Sequence, residues 1–156
     1  MRIVEFLVSP QHRLAGRPSP DRPPLPDETV DRIEVRAGLG IVGDRYFNRA
    51  AHRRGAVTIM DAAVLAPWGA GLAGARRNVL LEGVDVDSAT GRTLSLDSGS
   101  GPVLLRLHSR AHPCAWLDHT VGAGAWKGLR GHGGMRCEPL SDGVLRVGPV
   151  EVAWLE

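Results

Sequence analysis

The spacing of turn residues constrains this chain more than any other feature. Twenty glycines and eleven prolines punctuate its 156 residues, cutting the apolar sequence into runs of strand length. Short strands joined by regular Gly/Pro turns favour a barrel or sandwich over a doubly wound sheet. Ile3 to Val8 reads as a first strand, and the Pro-rich stretch Arg17 to Pro26 must be loop, because so many φ angles are fixed there. Thr29 to Val35 alternates like a half-exposed strand, and Gly38 to Arg45 is a glycine-punctuated turn leading out of it.

Ala56 to Met60 is a further strand; Asp61 then caps a short helix over Ala62 to Ala66 that Pro67 stops. Asn78 to Leu81 and Pro102 to Leu107 follow as strands, with a helical turn over Cys114 to His119. Met135 to Leu140, Val144 to Val147 and Val150 to Leu155 read as a closing meander, turned at Asp142-Gly143 and Gly148-Pro149. The expectation is a mainly β, closed or nearly closed barrel with two or three short helices and both chain ends in strands. One domain is expected over residues 1–156, since no linker splits the chain.

Composition excludes several classes. The 43% apolar and 23% charged content belongs to a globular protein. A net charge of +2 argues against nucleic acid or an acidic membrane as partner. No stretch is apolar enough to span a bilayer, and Met1 to Val8, broken by Glu5, is too short for a signal-peptide core. Two cysteines without CxxC spacing indicate neither a disulfide framework nor a redox pair, so a cytoplasmic location is expected. Of the 19 cationic side chains only Lys127 is Lys. Arginine suits bidentate recognition of phosphate and carboxylate, but genomic codon bias, to which the Ala and Gly richness also points, accounts for such a ratio better.

Chemistry concentrates around His112-Pro113-Cys114-Ala115-Trp116-Leu117. A cysteine where an apolar run resumes after proline is placed near a helix start, where free N–H groups favour a thiolate, and His108, Arg110 and His112 add cationic character. Such a thiolate is a nucleophile, a sulfur carrier or a soft metal ligand; the competing reading is a small buried hydrophobe. His108, His112, Cys114 and His119 also raise a zinc site, without the paired spacing that structural zinc sites use. Arg76-Arg77-Asn78, before an apolar strand, can clamp a phosphate with its guanidinium groups and read a heterocycle edge with its amide, or be a solvated turn. Gly38-Leu39-Gly40-Ile41-Val42-Gly43 matches GxGxxG but precedes no helix, so it reads as a loop carrying Asp44 and Arg45 to a site. The glycines of Gly131 to Gly134 allow close approach of backbone to a ligand, or simply a wide loop between strands. Cys137, on one strand face with Met135, reads as core.

Taken in order, these segments resemble the MOSC domain, the family named for the C-terminal domain of molybdenum cofactor sulfurases. The residues that carry the resemblance are Gly40 to Arg45, Arg76-Arg77-Asn78 with Gly83-Val84-Asp85 and Gly91, Pro113-Cys114, Gly133 to Arg136, and Gly143 to Val150. The resemblance implies a pyruvate-kinase β-barrel-like fold and a role with the molybdenum cofactor (molybdopterin) or in sulfur transfer. It implies a thiolate ligand to molybdenum at Cys114, and polar contacts to the pterin and its phosphate at Arg45, Arg76 and Asn78. Two functions follow from it. One is an oxidoreductase reducing N-hydroxylated compounds; the chain resembles a bare MOSC domain, so a separate electron-transfer protein would supply its electrons. The other is a non-catalytic carrier holding a persulfide or the cofactor for an accepting protein.

Overall fold

The computed structural model describes residues 1–19 and 21–155. It is mainly β, with three one-turn α-helices: α1 (Leu72–Ala75), α2 (Leu117–Thr120) and α3 (Ala125–Gly128). The large sheet is built from β1 (Arg2–Leu7), β2 (Thr29–Val30), β5 (Val57–Asp61), β6 (Val79–Glu82), β7 (Thr93–Asp97), β8 (Pro102–Arg110), β9 (Met135–Pro139), β11 (Gly148–Pro149) and β12 (Glu151–Leu155). Its order is β11-β1-β6-β5-β9-β8-β7-β12, with β2 paired to β1; β10 (Gly143–Arg146), β3 (Arg32–Arg36) and β4 (Gly40–Ile41) form a smaller sheet. The parallel pair β5–β6 needs a crossover, which the 3-10 segment Ala62–Trp68 and α1 provide.

The ladder is open between β11 and β12, so the expected barrel is not closed by hydrogen bonds. Its two ends nevertheless belong to one continuous segment. Gly148–Pro149 pairs with β1, Glu151–Leu155 pairs with β7, and only Val150, buried in the core, stands between them. The sheet therefore curls until its edges meet at that residue.

Two apolar clusters explain the strand sequences. Ile3, Phe6, Val57, Ile59, Leu81, Leu94, Leu105, Met135 and Cys137 fill the inside of the curl. Leu7, Met60 and Leu80 face outward instead, beneath Leu65, Leu72, Leu117 and Leu129 of the helical segments. Strands β1, β5 and β6 thus carry apolar side chains on both faces, so that in β5 Val57 and Ile59 point into the curl and Met60 packs under the helical segments, with Thr58 the polar exception. β8 is covered on one face for most of its length and alternates accordingly.

Most expected elements stand: Asp61 caps its helical segment by accepting from the Ala63 N–H at 2.9 Å, and the described Pro-rich residues form neither helix nor strand; Pro20 and Glu156 lie outside the described residues. Thr29 to Val35 is two strands, split at Asp31 where pairing changes from β1 to β10. The closing meander is corrected. β9 pairs with β5 and β8, β10 with β3, and β12 with β7, so these strands neighbour each other in sequence but not in a ladder. β7 is not anticipated, although Leu94 and Leu96 alternate with Thr93, Ser95 and Asp97 as a strand should. Among the described residues no helix is long and apolar enough to cross a membrane.

Candidate functional site

Where the inside of the curl is filled, the outer face of β5, β8 and β9 is not. Thr58 and Arg136 are register partners there, next to Val57, Ile59 and Met135, which point inward. Above them converge the segment after β1, the turn after β4, the 3-10 segment Ala50–Gly55, the residues before β6 and those before α2. They enclose a cavity of about 440 Å³.

Its lining is cationic. Arg13, Arg45, Arg54, Arg76, Arg77 and Arg136 contribute guanidinium groups, His12, His52 and His112 contribute imidazoles, and among the described residues no carboxylate lines it. Six of eighteen arginines therefore meet in one cavity of a chain whose net charge is only +2, which favours codon bias less than anion recognition as the reason for their placement. Cys114 opens into the same cavity and is exposed.

The individual guanidinium groups differ sharply in what they already bind. Arg76 ends α1 in the left-handed region (φ 60°), and its guanidinium pairs with Glu28 while donating to Ala73 O at 3.3 Å. Glu28 also takes two hydrogen bonds from Arg13, at 3.1 and 3.2 Å. Burial opposes the ionisation of Glu28, but hydrogen bonds from Arg13, Arg76 and Ser9 outweigh it and lower its pKa to about 2. Arg77 points the other way. Its Nε donates to Gly133 O at 2.8 Å and its Nη2 to His112 O at 3.3 Å, tying the Cys114 segment to the glycine loop. Burial lowers the Arg77 pKa to about 10, opposed by the charge of Cys114 and reinforced by Arg136 and Arg45, so it stays protonated at neutral pH.

Arg45 is largely buried and yet uncommitted. Its Nε and Nη1 are buried and have no hydrogen-bond partner among the described residues. Asp44 Oδ1 lies 3.5 Å from Nη1, near enough for Coulombic attraction but not aligned for a hydrogen bond. The guanidinium carbon sits 4.7 Å from the Tyr46 ring centre, and Tyr46 packs against His52 at 4.9 Å. An aromatic wall thus holds the guanidinium without satisfying it.

Of the four residues expected to converge, Arg45, Arg76 and Cys114 line the cavity and Asn78 does not. Asn78 is buried beneath it with its amide fully used. Nδ2 donates to Leu7 O at 3.0 Å and to Asp44 Oδ1 at 3.2 Å, while Oδ1 accepts from the N–H and the hydroxyl of Thr58 at 2.9 and 3.1 Å. No donor or acceptor is left to read a heterocycle. Arg77, to which the resemblance assigns no contact, lines the cavity too, and the end of α1 at Arg76 is what separates the two guanidinium groups.

Three further expectations are corrected. The helix at Cys114 begins only at Leu117, and a single turn has little dipole to offer the thiol. Gly133 and Gly134 face backbone rather than ligand: a Cβ would strike Ala111 O at Gly133 and Ile59 O at Gly134. The suggested zinc ligands do not assemble. Among the described residues no three His, Cys, Asp or Glu side chains converge on a metal position, and His108 Nε2 pairs with Glu138 at 3.0 Å.

No family model matches the sequence, and no curated protein matches it. The fold is shared with solved structures. YuaD from Bacillus subtilis aligns over 99% of this chain and 96% of its own, with a TM-score of 0.71 at 16% identity. YiiM from Escherichia coli aligns over 98% of this chain and 70% of its own, with a TM-score of 0.59 at 14% identity. YiiM from Geobacillus stearothermophilus aligns over 65% of this chain and 55% of its own, with a TM-score of 0.51 at 17% identity.

Proposed function

We propose that the chain is a single-domain MOSC protein with that family's β-barrel, and that its cationic cavity holds the molybdenum cofactor with Cys114 as a ligand to the metal. The observation that carries this reading is the buried, unpartnered guanidinium of Arg45 in a cavity that also presents an exposed thiol. Burying a guanidinium without a partner is costly unless an anion completes it. A phosphate-bearing pterin supplies such an anion, and molybdenum, when bound, supplies two-electron redox chemistry.

The protein's own part is binding and orientation. Arg45, presented against Tyr46, would take the phosphate together with Arg54 and Arg136, which make no ion pair with a carboxylate among the described residues. Arg77 would hold the Cys114 segment in place through the His112 carbonyl. Arg76 would act as a strut between α1 and Glu28. His12, its pKa lowered by burial and by Arg45 and Arg76, would be a neutral proton acceptor at the cavity mouth at pH 7.

As an oxidoreductase acting on N-hydroxylated compounds, the protein would receive electrons from a separate donor. The exposure of Cys114 supports a second reading, in which a persulfide or the cofactor passes from the cavity to an accepting protein. Elemental and pterin analysis of protein from its own host tests both. Stoichiometric molybdenum and pterin, lost together in Cys114→Ser, is the expected result. Sulfane sulfur on Cys114 without molybdenum selects the carrier, and a metal content unchanged in Cys114→Ser overturns the site.

A further inference from the structure

Residues 111–114 carry the thiol through neither helix nor strand, so what seats Cys114 on the cavity is the glycine turn beside it. The Ala111 N–H donates to Gly134 O at 2.8 Å, a Cβ on Gly133 would strike Ala111 O and crowd Pro113, and Arg77 joins Gly133 O to His112 O. That turn has little rigidity of its own. Gly131 and Gly134 have φ of 77° and 92°, and glycine has more conformational freedom to lose than any other residue. We propose that Asp87, in the loop between β6 and β7, is a positioning residue that fixes this turn and thereby keeps Cys114 among the arginines of the cavity. That Cys114 ligates molybdenum there rests on the reading given above; its positioning by Asp87 does not.

Asp87 is buried, and both oxygens of its carboxylate are turned to the glycine turn. Oδ1 accepts from the Gly134 N–H at 3.3 Å, and Oδ2 lies 3.4 Å from His132 Nδ1. Among the described residues, Arg77 and Asp87 are the side chains that hydrogen-bond this turn from outside it. Arg77 takes one carbonyl, and a single bond leaves the turn free to pivot. Asp87 adds the next N–H and the imidazole on the other side, so His132, Gly133 and Gly134 are fixed in succession. Asp87 itself has a firm base. Its own N–H donates to Asp85 Oδ1 at 3.2 Å, the Ser88 hydroxyl donates to Asp85 Oδ2 at 2.7 Å, and Val84, Val86 and Ala89 of the same loop are buried in the inner core. A continuous chain of contacts therefore runs from the core of the curl through Asp87 to the turn, and from the turn to the Cys114 segment. Burying a carboxylate is costly, and a loop that had only to pack would do so better with an apolar side chain. What the carboxylate gains for the protein is a turn that holds still beside the thiol.

The test reads where Cys114 sits by comparing two alkylating reagents of similar size, anionic iodoacetate and neutral iodoacetamide, on the reduced, metal-free chain. Both react with the same thiolate, so the ratio of their rates is independent of its pKa and reports the charge around it. In the parent chain this ratio for Cys114, followed by mass spectrometry of its peptide, should exceed the value in urea about tenfold, because the cavity concentrates anions. Asp87→Ala should bring the ratio to within about twofold of the urea value, and His132→Ala, which removes one of the two contacts, should give an intermediate one. Asp87→Asn keeps an acceptor for the Gly134 N–H and a donor for the imidazole, and should keep the parental ratio. Cys137 in the same samples should stay unlabelled, which separates a displaced segment from a loosened core. A parent ratio no higher than in urea overturns the proposal. So does a parental ratio in Asp87→Ala, or in His132→Ala should Asp87→Ala not fold, and so does an Asp87→Asn ratio as low as that of Asp87→Ala. A parent chain that shows the expected ratios but carries no molybdenum when purified from its own host refutes the cofactor reading and leaves the role of Asp87 standing. Molybdenum in the parent together with a parental ratio in Asp87→Ala does the reverse.

Discussion

The floor of the cationic cavity and its wall contain the same kinds of side chain in opposite states. In the floor, Asp44 accepts from the Ser9 N–H at 3.1 Å, from Asn78 Nδ2 at 3.2 Å and from the Tyr46 N–H at 3.3 Å, and Asn78 in turn secures Thr58 and Leu7. Every polar atom of that cluster serves to join the end of β1, the loop after β4 and the starts of β5 and β6. In the wall, one residue along from Asp44, Arg45 keeps two buried nitrogens unsatisfied. Adjacent residues of one motif thus divide the labour: the pair Asp44–Asn78 builds, and Arg45 is left to bind. A buried polar group that is already paired has nothing to offer a ligand, so the unpaired one identifies the site.

The sharpest way to break this comparison is to empty the floor. Asp44→Ala strands the Ser9 N–H and one amide N–H of Asn78 and leaves Arg45 without the one carboxylate that pairs with it among the described residues. Removing one partner of a buried charged network costs about 3–5 kcal/mol. Urea denaturation should show a loss of that size, and a loss below about 1 kcal/mol would mean that the cluster is solvated and does not hold the strands.

Glu28 gives the next effect, and it depends on pH. The carboxyl is lowered from 4.5 to about 2 by its arginine and serine partners, so the folded state binds its proton less readily than the unfolded one. That contribution is complete above the unfolded value and is lost as pH falls from 4.5 toward 2. Glu28→Gln should flatten the acid limb of a melting-temperature profile in this window and lower stability at pH 7. An acid limb identical to that of the unmodified chain would show that the Arg13–Glu28–Arg76 bridge contributes nothing to folding.

How far the sequence was legible follows the range of the interactions involved. Local signals were readable: Asp61 before an apolar run, the alternation that puts Met135 and Cys137 on one inner face, the Pro-rich loop. The roles within Arg76-Arg77-Asn78 were not, because they depend on partners far away in the chain. Asn78 is consumed by Leu7 and Asp44, 71 and 34 residues distant, and Arg76 by Glu28, 48 residues distant. Nothing within the triplet says that α1 ends at Arg76 in a left-handed residue, yet that single φ sends one guanidinium toward Glu28 and the next toward Cys114. The meander failed for the same reason, since ladder partners are chosen by the curl of the whole sheet.

The two cysteines extend the contrast between built and binding residues at a smaller scale. Cys137 is fully buried, and burial pushes its thiol pKa up; Cys114 is exposed on the cavity. Iodoacetamide should therefore label Cys114 in the native protein and Cys137 only after unfolding, as read by mass spectrometry of the two peptides. Cys137→Ala should cost about 1 kcal/mol as a modest core truncation, with no effect on cofactor content. Faster labelling of Cys137 than of Cys114 would reverse the assignment.

The smallest change in stability should come from the residue with the largest expected effect on binding. Arg45→Met keeps most of the side-chain volume against Tyr46 and removes a guanidinium whose buried nitrogens lack partners. The fold thereby loses a 3.5 Å attraction to Asp44 but is relieved of an unsatisfied charge, and two opposing effects of similar size should leave stability within about 0.5 kcal/mol of the parent. Binding should respond very differently. Inorganic phosphate ought to raise the melting temperature of the parent chain and not that of Arg45→Met, because the uncommitted guanidinium is the group that an anion completes. Arg76→Met supplies the internal comparison: its guanidinium already belongs to Glu28, so this variant should lose stability and keep the phosphate response. If the two variants behave alike in both measurements, the division between committed and free arginines fails, and the cavity attracts anions through its total charge alone.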